Sequence, residues 1–468
     1  MKKRTLLLGF AALTFSAASF AGTPNNMQVW LKNGEQKAFD INEVDSVTFG
    51  VTPQITYESL TENTMPPTFA APNPLMVNKQ ELAYIRANNQ FAMDCYAKVR
   101  KMTDQQDPTE PRPIHFFSPV SLNIALGFCA NGATTDGAKE ITQALGFPSL
   151  KDMNNFYQKL FVSLNSNVDS VDIHTANALW INEGNKVYED FVETAKKKYY
   201  ATVRHLDFEN DPVGSKDTIN HWAALMTNDR IKSLGIKITP ITRLVINNAC
   251  YFKADWKIPF ESAGKRIFNG AYGKKGQTDF MSFSLQHAQC AQTDMYQAIK
   301  LDYTGSELGK YDTAFASTYS MIIVLPNEES SIDEVLPTLQ WDSIPLTYKK
   351  CDLTMPKFES RGNYQLVGTM KESNINDIFK RYPNAIKIEQ VVDSIHISQI
   401  AQDYFLKVDE KGTEAAVVTS IVGDLTTGLP PEPQFVMNCN RPFVFAIREN
   451  TTGLLLFLGE YSFVPKEE

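Results

Sequence analysis

The chain has 468 residues, 43% of them hydrophobic, and a net charge of −8. That much apolar material suits one large globular domain with additions, or two to three ordinary ones, and excludes a disordered or fibrous chain. The acidic balance argues against a nucleic-acid-binding surface.

Residues 1–21, MKKRTLLLGFAALTFSAASFA, open with basic residues, continue through an apolar stretch and reach small residues at Ser19 and Ala21. They read as a signal peptide, so the chain is expected to be exported, whether secreted, periplasmic or held at the cell surface. The apolar stretch is shorter than the ~20 residues a membrane span needs, and no other segment reads as one. No cysteine follows the expected cut to carry a lipid. Residues 22–50 read as a small β module, with apolar residues alternating on either side of Asn33-Gly34, a strong hairpin signal. Residues 51–78, rich in Pro, Thr and Asn, read as linker, and a large domain covers 79–468.

Within that domain ELAYIRANNQFAMDCYAKV, AKEITQALGF and DTINHWAALMTNDRIKSL carry helical apolar spacing, and VETAKKKYYATV places Lys196–Lys198 on a solvated helix face. LVINNACYF, SMIIVLP, DLTMPKFE, YFLKVDE, PFVFAI and LLLFLGEY read as strands. With no parallel βαβ rhythm and no internal repeat, an α+β fold is expected. The six cysteines form no CxxC pair and read as buried thiols, while the six histidines are scattered. GAYGKKG, from Gly270, has the wrong glycine spacing for a phosphate loop and reads as a surface loop. No catalytic motif, metal or cofactor is therefore expected.

The stretch EKGTEAAVVTSIVG, Glu410–Gly423, is harder to place. It has the composition of a buried strand, yet DLTTGLPPEPQ, which follows, is loop-like. As a strand it would set Thr413, Ala415, Val417, Thr419 and Ile421 on one face and its one charge after the glycine, Glu414, on the other. No proline interrupts it from Gly412 to Leu429, and Gly412 offers a permissive backbone at its start.

VDEKGTEAAVVT followed by NRPFVFAIRENTTGLLLFLGEY resembles the reactive-loop hinge and closing strands of the serpin family. FFSPVSLNIALGFCANGATTDGAKEI, TANALWIN, INHWAALMTNDRIKSL, LVINNACYFKADWKIPF, MIIVLPNE and LTMPKFE are similar to serpin segments in the family's order, so the likeness covers about residues 79–465. The resemblance implies a large antiparallel sheet that accepts an extra strand, flanking helices and an exposed loop that baits a protease. It implies a non-enzymatic monomeric inhibitor that is cut, holds the protease as an acyl-enzyme and then inserts its loop. By that likeness the hinge is Gly412, Thr413, Glu414, Ala415, Ala416, Val417, Val418 and Thr419, and the reactive bond joins Thr426 and Thr427. Ser118, Ser121 and Asn248 match the polar cluster beneath the sheet, and Trp256 the aromatic residue where the new strand goes in. Gln402-Asp403 stands where the family usually has His-Lys, which puts inhibitory speed in question. The bait has no Lys or Arg, so an elastase-like serine protease is the expected partner, with Leu425 suiting a papain-like cysteine protease instead. A noninhibitory binding or display protein is the alternative.

Overall fold

The computed structural model describes residues 75–102, 112–134, 136–165, 171–304, 318–380, 386–389, 396–413 and 435–464, together with the backbone of strands 4–8, 26–30, 36–40 and 44–49. The chain divides into two units, 1–63 and 64–468. In the first, Arg4–Leu8 runs parallel to Val44–Phe49. Asn26–Trp30 pairs antiparallel with Gln36–Asp40, bracketing the Asn33-Gly34 signal, which itself lies outside the described residues.

The second unit begins with helix α1, Lys79–Val99, where Asn78 and Glu81 exchange side-chain and backbone hydrogen bonds in a capping box. Helix α2, Pro119–Gly132, starts where Ser118 caps the Ser121 N–H and Pro119 occupies the first turn. Nearly all of α2 is buried, because it packs against strands of two different sheets. Then come α3 (Asp136–Ala144), α4 (Leu150–Leu164), α5 (Glu189–Lys198) and α6 (Pro212–Met226). Helix α4 lies outside the expected elements, although its buried Met153, Phe156, Tyr157, Leu160, Phe161 and Leu164 recur at helical spacing. Helix α6 is shorter than its apolar pattern suggests. The chain turns at Asn228 and Asp229, whose φ values of 48° and 61° are left-handed, and the helix cannot continue through them.

A six-stranded sheet contains β1 (Val171–Asn182), β2 (Thr202–Leu206), β3 (Leu244–Asp255), β4 (Phe358–Gln365), β5 (Ala401–Val408) and β6 (Gly412–Thr413), in the order β4-β5-β6-β3-β1-β2. Strands β1 and β2 pair in parallel with α5 between them, so one βαβ unit is present where none was expected. A nine-stranded sheet holds most of the later strands. Its path runs Phe435–Asn438, Thr347–Pro356, Lys275–Gln292, Tyr296–Asp302, Tyr319–Pro326, Phe443–Glu449, Leu455–Tyr461 and Ile114–Phe117, with Glu261–Asn269 branching off Lys275–Gln292. GAYGKKG sits at the hairpin turn between those last two, where Asn269 faces Lys275. Five cysteines are buried, Cys250 partly so, and all six are free thiols.

The connection that matters for function leaves the six-stranded sheet at Thr413 and joins the nine-stranded sheet at Phe435.

Candidate functional site

Strand β5 alternates cleanly: Gln402, Tyr404, Leu406 and Val408 are buried, while Asp403, Phe405 and Lys407 lie on the outer face. Its neighbour on one side is β4, paired along its whole length. On the other side the ladder is two residues long. Val408 pairs with Thr413, and Gly412 and Thr413 pair with Asp255 and Ala254 of β3. Among the described residues β3 and β5 share no pairing of their own, so a strand-wide slot continues beyond Thr413. Part of it is a cavity of about 710 Å³ bounded by Leu244, Ile246 and Asn248 of β3, Ile400 and Gln402 at the β5 side and Leu126 of α2.

The two-residue strand β6 is held on every side. Thr413 is 2% exposed, and its hydroxyl lies 2.8 Å from that of Tyr303. Burial keeps the Tyr303 hydroxyl firmly protonated. The Tyr303 ring stacks on Trp256 at 4.6 Å, and the Trp256 indole N–H donates to the Asp409 carbonyl at 2.9 Å. Just ahead, Lys357 and Glu410 form an ion pair at 3.0 Å. The structure gives Gly412 a different rationale from backbone permissiveness. A Cβ there would sit 2.2 Å from the Ala254 carbonyl oxygen and 2.8 Å from the Asp255 Cα, so β6 fits against β3 only without a side chain.

Beneath the slot, the start of α2 joins its two walls. The Gln402 amide accepts the Ser118 N–H and donates to the Ser118 carbonyl, both at 2.9 Å. Ser118 Oγ donates to the Leu456 carbonyl of the other sheet at 2.9 Å. Ser121 Oγ donates to Asn248 Oδ1 at 2.5 Å, and Asn248 donates onward to Asn177 at 2.9 Å. A continuous polar chain thus runs from β5 through α2 to β3 and β1. Each member both donates and accepts, so partners can be exchanged without leaving a charge behind.

Ser118, Ser121, Asn248 and Gln402, far apart in sequence, are therefore one cluster, and Gly412, Thr413 and Trp256 meet at the end of the slot. Glu414, Ala415, Ala416, Val417, Val418, Thr419, Leu425, Thr426 and Thr427 lie outside the described residues. Sequence reasoning missed Asn177, Tyr303 and the Lys357–Glu410 pair. Asn177 interrupts the apolar run of TANALWIN, a signal that was available, whereas Tyr303 carries no local mark. Among the described residues no group of three or more His, Cys, Asp or Glu side chains could hold a metal ion, and no helix is long and apolar enough to cross a membrane.

The family model for serpins, described as serine protease inhibitors, matches residues 86–463. This chain belongs to the serpin family. A serpin-like protein of Methanosarcina mazei is 30% identical over 390 residues, covering 81% of this chain and 86% of that protein. Human Serpin B3 is 27% identical, over 80% of this chain and 98% of its own. The leukocyte elastase inhibitor of Xenopus tropicalis is 28% identical, over 74% and 92%. Among solved structures, tengpin, a thermophilic serpin in its native state, superposes with a TM-score of 0.69 at 23% identity, over 86% of this chain and 99% of tengpin. The α+β architecture is thus the serpin fold, and serpins in general inhibit proteases rather than catalyse reactions.

Proposed function

We propose that this serpin is an inhibitory one, in which the segment after Thr413 is cut by a protease, holds it as an acyl-enzyme and fills the slot between β3 and β5. The single observation that carries this reading is Thr413 itself, paired with both walls at the end of a gap that no other described strand bridges. Continuing the two registers residue by residue, Val408↔Thr413 leads to Gln402 opposite Thr419, and Ala254↔Thr413 leads to Asn248 opposite Thr419. An inserted Thr419 would then join the polar cluster. The same count sets Glu414 on the outer face opposite Lys407 and Lys253, and Ala415, Val417 and Ile421 toward the core. Each buried Val or Ile contributes about 1.5–3 kcal/mol and each new ladder hydrogen bond about 0.5–1.5 kcal/mol, so insertion is downhill. A chain that folds with its slot unfilled is kinetically rather than thermodynamically stable.

The reactive bond is Thr426–Thr427, and the target an elastase-like serine protease of the extracellular space. A bait free of Lys and Arg supports that choice, as does the likeness to a relative named as an elastase inhibitor. Leu425 leaves a papain-like cysteine protease as the second candidate. Export through residues 1–21 would bring the protein to such enzymes.

The test is incubation with pancreatic elastase and with papain, followed by denaturing electrophoresis. A complex that survives boiling in detergent is expected with elastase. Clean cleavage of the chain with no complex to either enzyme would overturn inhibition in favour of a binding or display role.

A further inference from the structure

The cavity between β3 and the chain leading into β5 is apolar along its walls and cationic at one end. Its volume of about 710 Å³ lies in the range of pockets that take small organic molecules. Leu126 of α2, Leu244 and Ile246 of β3, and Ile397 and Ile400 ahead of β5 form the apolar walls. Leu244, Ile246, Ile397 and Ile400 are only half-buried, whereas Phe252 and Ala254, on the same face of β3 beside Thr413, are buried. The crossing segment from α6 to β3 adds Ile236 and Lys237 to the lining. It is held in place by Gln399, which accepts the Lys237 N–H and donates to the Lys237 carbonyl, and by Asp403, which accepts the Gly235 N–H, all at 2.9 Å.

The two ends of the cavity differ in charge. At one stand Ser121, Asn248 and Gln402, neutral groups already bonded to one another or to Ser118. At the other, where the chain enters β3 and approaches β5, stand Lys237, Arg243 and His396. Arg243 donates to the Pro240 and Thr242 carbonyls, both neutral, and no acidic side chain lies among the described lining residues. Apolar walls with cations at one end only are complementary to a hydrocarbon body carrying a single anionic head. An inserted loop would fill only part of this space. By the registers counted above it would bring Ile421 to Ile246 and Ile400, but only Gly423 to Leu244.

We propose that this cavity is a binding site for an aliphatic monocarboxylate, its hydrocarbon lying between β3 and Ile400 over Leu126 and its head group among Arg243, Lys237 and His396. A carboxylate suits Arg243, because a guanidinium can donate two parallel hydrogen bonds to it. The hydrocarbon would take the half-buried Leu244, Ile246, Ile397 and Ile400 out of water, which is the driving force for binding. The neutral far end offers nothing to a second charge, and a cationic head would meet like charge at the other. Occupancy also takes the place that Ile421 needs, so the ligand slows loop insertion, a consequence that rests on the function proposed above.

Titration calorimetry of the intact full chain with decanoate, kept below its micelle concentration, tests the site without any protease. Saturable binding to a single site is expected, with decanol and decyltrimethylammonium each about tenfold weaker or worse. Arg243→Gln should weaken decanoate about tenfold and leave decanol unchanged, a contrast that a merely loosened fold would not give. Bound decanoate should slow hydrogen exchange in peptides covering 236–248 and 396–402. No saturable binding, equal affinity for the three amphiphiles, unchanged affinity in the variant, or protection confined to other peptides would each overturn the site. Complex formation with elastase then separates the two claims. Saturating decanoate should slow it about tenfold, and an unchanged rate would overturn control of insertion. Binding as expected with no elastase complex, with or without decanoate, would sustain the site and sink the inhibitory reading instead.

Discussion

Gln402 and Ser118 grip each other twice, the side-chain amide meeting both the backbone N–H and the backbone carbonyl at 2.9 Å. Ser118 is at once the cap of α2 and a tie to Leu456, so this one amide fixes β5 to a helix and to the second sheet. The amide carries its acceptor oxygen and its donor nitrogen side by side on one carbon, so both bonds reach the backbone of a single residue.

Gln402→Ala should leave the buried Ser118 N–H without its acceptor, costing about 2–3 kcal/mol. The expected outcome is a lower thermal midpoint of the intact protein, with Gln402→His falling between the two. Differential scanning fluorimetry of the three proteins decides this, and an unchanged midpoint in the alanine variant would show the clamp to be idle.

Thr413 is where a charge should do most harm to inhibition. At 2% exposure, with its hydroxyl on Tyr303, an arginine there would have to bury an unpaired cation at a cost of several kcal/mol. Thr413→Arg is expected to be cut by the target protease yet to form no detergent-stable complex, while Thr413→Ser retains it. Equal complex yields from both would place the start of insertion elsewhere.

Thr426→Arg should move inhibition from elastase toward trypsin-like enzymes, because a cationic residue before the cut suits their acidic pocket. Second-order inhibition rates against both enzymes, with N-terminal sequencing of the released fragment, test this. Unchanged selectivity would put the reactive bond at another residue.

Acid should weaken the fold through His115. It is 3% exposed, and burial, with Arg100 and Arg112 nearby, holds its imidazole down at about 3 against an ordinary 6.5. A depressed folded value means that the contribution is full above 6.5 and is lost as pH falls toward 3. Between pH 7 and 4.5 the loss is roughly 2–3 kcal/mol. Asp403, whose carboxyl burial raises to about 6, titrates in the opposite sense, so urea unfolding in an Asp403→Asn background should show that loss, and His115→Gln should shrink it.

How much of this was legible beforehand depends on range. The strands LVINNACYF and YFLKVDE and the cap at Ser118 carry local signals of alternation and of a hydrogen-bonding side chain, and they stand where such signals put them. The end of α6 was misjudged because its apolar spacing runs past Asn228 and Asp229, and only backbone conformation stops it. The parallel pairing of β1 with β2 depends on a crossover that leaves no mark in either strand. Resemblance brought Ser118, Asn248 and Gln402 together across most of the chain, since no spacing rule links residues so distant. The ties from Asp403 and Gln399 to the crossing segment were illegible for the same reason. They join backbone groups, whose identity the sequence does not encode.

The path from Thr413 to Phe435 has one more consequence. Downstream of any break in it, Phe443–Glu449 and Leu455–Tyr461 are interior strands, flanked by Tyr319–Pro326 and Ile114–Phe117. The fragment released by a nick is woven into the middle of a sheet made by the rest of the chain. A clipped molecule therefore stays one particle in solution, migrating whole on a sizing column and parting into two bands only when unfolded.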